Sequence, residues 1–318
     1  MGEAPRLWTW VHLILVEENT RCLQISRLSG LRSVEIASVS RKVLEAVMEH
    51  PGVKEITLEK ALALHEADPQ LLGRVVKKLE VVNMMKVADK RLTCMNYSQL
   101  KVFFATICEG NKLKCLNMDN RNMASVSPAK LAKVVSKLEE ANLKDTQLTE
   151  AQVREIFQAL SEGSKLHHLA LSSNNLSSVA PQLLATGVTE LRSLNLAYTQ
   201  LTKPQTEALF SSLSQSQHLS HLTIGLNDLS SVKPQVLAQS VCRLDTVQMR
   251  EACLTELQWN ELLRLMGSGS SRLREADFSN NYSSLNSPGL SRYFCTYIFS
   301  YSCSTSIKST SPELNQPC

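Results

Sequence analysis

Leucine and other large aliphatic residues recur along the chain in two alternating patterns. One pattern returns every 53 residues and begins at Leu138, Leu191 and Leu244. The second lies between its copies and begins at Leu113, Leu166 and Leu219. The two units are 28 and 25 residues long, respectively. A fixed period of this length predicts a solenoid, in which each repeat packs against its neighbours.

Each unit opens with L-x-x-L-x-L, which predicts a short strand with positions 1, 4 and 6 in the core. Positions 2, 3, 5, 7 and 8 then face solvent, and successive strands stack in parallel about 4.8 Å apart. The pattern can be followed over about ten units, whose first positions are Leu31, Val53, Leu79, Leu113, Leu138, Leu166, Leu191, Leu219, Leu244 and Leu273.

The second half of each unit has the apolar spacing of a helix. In the 28-residue units the helix is preceded by T-x-x-Q, at Thr149, Thr202 and Thr255, which predicts a capping box. In the 25-residue units a proline occupies the first helical turn, at Pro128, Pro181 and Pro234. These shorter helices are predicted to be about two turns long.

The ninth position of each unit is the turn after the strand. An Asn side chain there, as at Asn174 and Asn227, can bond backbone groups that the bending chain leaves unpaired. Thr146 and Thr199 can do part of this, but Ala252 cannot. The sequence therefore predicts a looser turn at Ala252.

This strand–turn–helix unit resembles the ribonuclease-inhibitor type of leucine-rich repeat. The resemblance implies an α/β horseshoe with a parallel sheet on its concave face and helices on its convex face. It covers residues 31–290 and is most regular over 113–285. Residues 1–30 are predicted to form a capping segment, and residues 291–318, which are rich in Ser and Thr, a disordered tail.

The apolar stretch from Leu7 to Val16 allows a capping segment, a degenerate first strand or the core of a signal peptide. Only one basic residue precedes it and no A-x-A cleavage site follows, which favours the first two interpretations. No run of 18 apolar residues occurs, so no transmembrane helix is expected.

Composition narrows the class of partner. The net charge is +4, from 34 basic and 30 acidic residues, and gives no reason to expect nucleic-acid or membrane binding. The nine cysteines are scattered without a C-x-x-C pair, which is typical of reduced thiols in a cytoplasmic or nuclear protein. No catalytic or nucleotide-binding motif and no metal-ligand spacing is present, so neither enzymatic activity nor a cofactor is predicted.

The candidate site is therefore the solvent-facing side of the sheet. Charges nearly alternate in the position 2 column and should largely neutralise one another. His168 and His221 share the position 3 column with Ser193 between them, too far apart for one metal ion. Tyr198 and Leu226 are neighbours at position 8, and Arg192 is expected nearby. The predicted partner-binding residues are His168, Arg192, Tyr198, His221 and Leu226.

The leading functional hypothesis is a non-enzymatic scaffold or ligand-recognition module that binds a protein on the concave face. The resemblance extends to the repeat region of NOD-like receptors, which favours an innate-immune-receptor-like role. Two alternatives stay open, a substrate-receptor subunit of a ubiquitin ligase and a regulator resembling GTPase activators. The partner and the oligomeric state are not indicated by the sequence.

Overall fold

The computed structural model describes residues 12–15, 28, 30–36, 40–58, 67–84 and 95–281. Within these ranges, eleven strands form one sheet in chain order, and helices connect successive strands from β2 onwards. The bounds are β1 His12–Leu15, β2 Ser33–Ile36, α1 Arg41–Glu49, β3 Glu55–Thr57, α2 Pro69–Lys78, β4 Val81–Asn83, α3 Tyr97–Ile107, β5 Cys115–Asn117, α4 Pro128–Val135, β6 Glu140–Asn142, α5 Glu150–Ser161, β7 His168–Ala170, α6 Pro181–Gly187, β8 Ser193–Asn195, α7 Lys203–Leu213, β9 His221–Thr223, α8 Pro234–Cys242, β10 Thr246–Gln248, α9 Glu256–Gly267 and β11 Glu275–Asp277.

The predicted repeat frame is confirmed. Each of the ten predicted first positions lies two residues before a strand, from Leu31 before β2 to Leu273 before β11. The additional strand β1 lies in the segment predicted to be a cap or a degenerate first strand, and it pairs in parallel with β2. The predicted tail at 291–318 and most of residues 1–30 lie outside the described residues.

The strands pair in parallel with a register that keeps equivalent positions of the repeat side by side. Leu169 of β7, for example, is opposite Leu194 of β8, which is opposite Leu222 of β9. These position 4 side chains are buried, and they join the residues of the helices in one continuous core. The helices pack most extensively as the pairs α2–α3, α4–α5, α6–α7 and α8–α9. From α4 onwards, each pair joins a 25-residue unit to the following 28-residue unit.

The predicted capping boxes are present and also link adjacent units. At the start of α7, the backbone N–H of Thr202 donates to Oε1 of Gln205 at 2.8 Å. The amide nitrogen of Gln205 reaches back into the preceding unit and donates to the carbonyls of Leu176 and Val179 at 2.8 and 2.6 Å. Gln152 and Gln258 make the equivalent pairs of bonds. The sequence indicated the cap but not this second connection.

The Asn side chains at the ninth position serve the turn of the preceding unit as well as their own. This arrangement overturns the prediction of a looser turn at Ala252. The backbone N–H of Ala252 donates to Oδ1 of Asn281 at 2.8 Å, and Nδ2 of Asn281 donates to the carbonyl of Met249 at 2.7 Å. Ala252 is buried, so the neighbouring unit supplies the hydrogen bonds that its own side chain lacks.

Candidate functional site

The candidate site is the face of the sheet opposite the helices, here called the open face. Position 3 side chains form one row on this face, because His168 of β7, Ser193 of β8 and His221 of β9 are direct partners in the register. Position 5 side chains form a second row, which contains Ala170, Asn195 and Thr223 on the same strands. Both rows are at least partly exposed.

The five predicted binding residues fall into two groups at opposite ends of the strands. His168 and His221 begin β7 and β9, and Arg192 immediately precedes β8. Tyr198 lies three residues after the end of β8, and Leu226 three residues after the end of β9. The three-residue strand therefore separates Arg192 from Tyr198 by about 10 Å or more. Arg192 and Tyr198 thus lie at opposite ends of β8, whereas Tyr198 and Leu226 lie on adjacent turns.

Position 8 has a left-handed backbone in every regular unit, a property that the repeat pattern alone did not reveal. Tyr198 has φ 54° and Leu226 has φ 59°. This conformation costs an ordinary L-residue about 1–2 kcal/mol, while Asn and Asp tolerate it better. Asn120, Asp145 and Asn280 occupy the equivalent place in other units. Tyr and Leu are thus unfavourable choices for the fold at this position.

Tyr198 and Leu226 are also among the few large apolar side chains that the described chain exposes. Their exposed fractions are 57 % and 47 %. Backbone strain and exposed apolar surface thus coincide at two adjacent positions. Such a combination is the ordinary mark of a binding surface.

Both turns are held firmly by the backbone and by Asn227. The N–H of Tyr198 donates to the carbonyl of Gly225 at 3.0 Å. Asn227, which is buried, accepts from the N–H groups of Thr199 and Leu201 at 3.3 and 3.1 Å. Its amide nitrogen donates to carbonyls before each turn, those of Leu196, Ile224 and Gly225. One side chain therefore fixes the positions of both exposed apolar residues.

Gly225, directly before Leu226, is required by the close approach of the next turn. A Cβ built on Gly225 would lie 2.4 Å from the carbonyl oxygen of Arg250. The absence of a side chain here, together with Ala197 at the same position of the preceding unit, leaves little to obstruct the two apolar side chains. Beyond them, the Arg250–Glu251 ion pair, 3.1 Å long, borders the apolar surface on the β10 side.

From Lys54 to Arg274, the position 2 column neutralises itself in pairs, as predicted, except at Arg192. Lys54 lies 2.6 Å from Glu80, Lys114 lies 3.4 Å from Glu139, and Arg274 lies 3.9 Å from Asp245. The hydrogen bond from Lys54 holds the pKa of the Glu80 carboxyl below its ordinary value. Arg192 has His167 and Ser220 as its neighbours in the column instead of an acid.

Among the described residues, no group of three or more His, Cys, Asp or Glu side chains could hold a metal ion. The described part of the chain also contains no helix with the length and hydropathy needed to cross a membrane. His168 and His221 are separated by the width of β8, about 10 Å across two strand spacings. They are available for polar contacts with a partner.

Cys115 provides a test of the electrostatics on the N-terminal side of the site. Burial, followed by the carboxylates of Glu140 and Glu139, raises the pKa of its thiol to about 11. At pH 8 only about one molecule in a thousand would carry the reactive thiolate. We expect alkylation of Cys115 by iodoacetamide, followed by peptide mass spectrometry, to be at least about tenfold slower than that of the exposed Cys253.

The matched variant for this measurement is Glu140→Gln, which removes the nearer carboxylate but keeps the size of the side chain. Its expected effect is faster alkylation of Cys115 with no change at Cys253. Equal rates for the two cysteines in the unmodified chain would contradict the assigned environment.

Fold and open face together define a leucine-rich-repeat solenoid of the ribonuclease-inhibitor type, in which parallel strands carry the exposed side chains and helices close the other face. The chain is 31% identical to ribonuclease inhibitor of Sus scrofa over 153 residues, which is 46% of this chain and 33% of that protein. It is 26% identical to NACHT, LRR and PYD domains-containing protein 14 of Mus musculus over 227 residues, which is 63% of this chain and 23% of that protein.

These curated relatives are matched over about a quarter to a third of their own length. No family model matches the chain. Among solved structures, the leucine-rich repeat-containing protein LegL7 of Legionella pneumophila superposes with a TM-score of 0.51 at 16% identity. The superposition covers 93% of this chain and 99% of the other, and it supports the fold alone.

Proposed function

We propose that this chain is a non-enzymatic recognition module that binds a partner protein on the open face over β7, β8 and β9. The observation that carries the proposal is the pair Tyr198 and Leu226, two exposed apolar side chains on left-handed backbone. About half of each side chain is exposed to solvent. A partner that covers both side chains would offset the cost of their exposure.

His168, Arg192 and His221 form the polar part of the proposed surface, at the other end of the same strands. Charged and polar contacts of this kind contribute mainly to the choice and orientation of a partner, while buried aromatic and aliphatic anchors supply most of the affinity. The proposed surface therefore combines both elements within three adjacent repeats.

Two further observations support a type of protein and a cellular location for the module. The similarity to the NACHT, LRR and PYD domains-containing protein supports a recognition role within a receptor-like protein. The thiols of Cys108, Cys115, Cys242 and Cys253 are free, which supports a reducing location, the cytoplasm or the nucleus.

The proposal predicts opposite effects of one double substitution on stability and on binding. Tyr198→Asn combined with Leu226→Asn places at both positions a residue that tolerates left-handed backbone. We expect the free energy of unfolding to rise by about 1 kcal/mol. Affinity for the partner should nevertheless fall about 30-fold or more, as for the loss of two interface anchors. Affinity capture with quantitative mass spectrometry, with the full chain as bait, measures the loss.

The matched control is Asp145→Asn, at the same left-handed position of the β6 unit and outside the proposed surface. It should retain every protein that the unmodified chain captures. Proteins that this control captures and the double variant does not are the partners. Urea unfolding of all three chains shows whether a loss of capture reflects a loss of folding. If the double variant captures the same proteins as the control, the proposed surface is wrong.

A further inference from the structure

Within the described residues, two charged side chains of the position 2 column form no ion pair, Arg32 before β2 and Arg192 before β8. From Lys54 to Arg274, the other Lys, Arg, Asp and Glu side chains at position 2 lie beside an opposite charge on a neighbouring strand. Arg192 is exposed, and its guanidinium makes no hydrogen bond or ion pair with any residue in the described part of the chain. An Arg side chain in this state offers a full set of donors to a ligand.

The nearest side chains to Arg192 on β7 and β9 are histidines and a serine, which can supply further donors. His168 and His221 flank Ser193 in the adjacent row of the open face. The hydroxyl of Ser220 lies 3.0 Å from the carbonyl of Arg192 and 2.6 Å from Nδ1 of His221. With the hydroxyl hydrogen directed to Nδ1 of His221, the neutral ring carries its proton on Nε2, which is then a donor for a ligand.

A further polar atom beside Arg192 also lacks a partner. Nδ1 of His167 is shielded from solvent and has no hydrogen bond within the described ranges. His167 precedes β7 and is the neighbour of Arg192 in the position 2 column, where its carbonyl accepts from the N–H of Arg192 at 2.8 Å. Buried polar atoms without a partner are uncommon in folded proteins and often mark a place where a ligand or water belongs.

The nearest carboxylates face other groups. Glu190, two residues before Arg192, lies 3.9 Å from Nε2 of His218. On the β6 side, Glu139 pairs with Lys114, and Glu140 interacts with the thiol of Cys115. On the β10 side, Asp245 faces Arg274 at 3.9 Å. The amino ends of β7, β8 and β9 thus form a short basic strip, bordered on the β6 side by Glu140, the register partner of His168.

We propose that this strip binds a carboxylate of the partner protein, an Asp or Glu side chain in an extended acidic segment. The segment would run along β8 so that an apolar residue further along it covers Tyr198 and Leu226. The inference rests on the proposed function and adds the chemistry of the partner. Arg192 is the principal contact, since a guanidinium binds a carboxylate through two parallel hydrogen bonds.

The strand residues between the two ends of the site set the distance between the acidic and the apolar residue of the bound segment. Ala170, Asn195 and Thr223 are small and uncharged, so they leave room for a chain without selecting a charge of their own. The basic strip and the apolar pair are about 10–15 Å apart along the strand direction. In an extended segment this distance corresponds to an acidic and an apolar residue about three to five positions apart.

The test uses a phage-displayed library of random dodecapeptides, selected on the full chain and on two charge-reversed chains. Arg192→Glu reverses the proposed contact. Arg154→Glu makes the same change of net charge on an exposed position of helix α5, on the other side of the sheet. The expected result is enrichment of Asp or Glu, with an apolar residue at the stated spacing, on the unmodified chain and on Arg154→Glu. On Arg192→Glu this enrichment should be lost.

One selected peptide then tests the contact directly in a double-mutant cycle. Exchange of its acidic residue for Gln or Asn should weaken binding to the unmodified chain about tenfold, the typical effect of losing a charge-assisted pair. The same exchange should have no effect on binding to Arg192→Gln, since the contact is already gone. Fluorescence polarisation measures all four affinities, and thermal melts confirm that the exposed substitution leaves the fold intact.

Failure of the inference differs from failure of the proposed function. Peptides that need Tyr198 or Leu226 for binding but show no acidic preference overturn the acidic segment and leave the recognition surface standing. Binding peptides that are indifferent to Tyr198, Leu226 and Arg192 overturn both. A library without enriched binders overturns the inference as well, because it requires a linear acidic segment.

Discussion

Asn227→Ala should lower the free energy of unfolding by about 3–4 kcal/mol. The Asn227 side chain is buried and holds the turns that carry Tyr198 and Leu226. Its removal leaves the N–H groups of Thr199 and Leu201 without their acceptor, and it frees carbonyls that water reaches poorly. Each buried polar group left unpaired costs about 1–3 kcal/mol. Urea unfolding followed by circular dichroism gives the change.

Asn195→Ala is the matched control, because the Asn195 side chain accepts a hydrogen bond near the same turn, from the N–H of Ala197 at 3.1 Å. Its expected cost is about 1 kcal/mol. Hydrogen exchange adds a local readout, in which the amides of Thr199 and Leu201 should lose protection in Asn227→Ala before the rest of the sheet. Equal losses of stability in the two variants would show that the bonds across the units contribute little.

Gln205→Ala should cost about 2–4 kcal/mol, more than the loss of an ordinary helix cap. The Gln205 side chain is completely buried and bonds in two directions. Its oxygen accepts from the N–H of Thr202, and its nitrogen donates to carbonyls of the preceding repeat. The substitution therefore removes both the cap of α7 and the connection to the α6 unit. Thermal and urea unfolding measure the loss.

Gln182→Ala provides the comparison, since Gln182 occupies the second position of α6 and is exposed. It should change stability by no more than about 0.5 kcal/mol. Because each repeat of a solenoid contacts mainly its neighbours, the Gln205 variant should also weaken the coupling between units and broaden the transition. An effect of Gln205→Ala as small as that of an exposed cap would contradict the role of the second pair of bonds.

The spacing of the repeats was sufficient to predict the fold. The ten first positions predicted strands β2 to β11, and the T-x-x-Q and proline signals predicted the starts of the six helices from α4 to α9. These properties are local, since an L-x-x-L-x-L strand and a capped helix each follow from a few adjacent residues. Their regular succession leaves only stacking in chain order as a way to bury the leucines.

The candidate site was predictable only in part. The columns of exposed positions follow from the register, so the exposure of Arg192, Tyr198 and Leu226 could be anticipated. The separation of Arg192 from Tyr198 could be anticipated as well, because they occupy positions 2 and 8 of one unit, before and after the strand. The left-handed backbone at position 8 could have been suspected from Asn120, Asp145 and Asn280, which are residue types that tolerate it.

By itself, the sequence determined the class of fold, the order of the strands and the side of the sheet on which each residue lies. Periodicity controls these properties, because side chains alternate along a strand and helices repeat every few residues. The tertiary structure alone decided how amides connect neighbouring units and which charges are paired. Those contacts join residues about 25–30 positions apart, as from Asn227 to Thr199 or from Lys114 to Glu139. The same stacking leaves Tyr198, Leu226 and Arg192 exposed on the surface that we propose binds a partner.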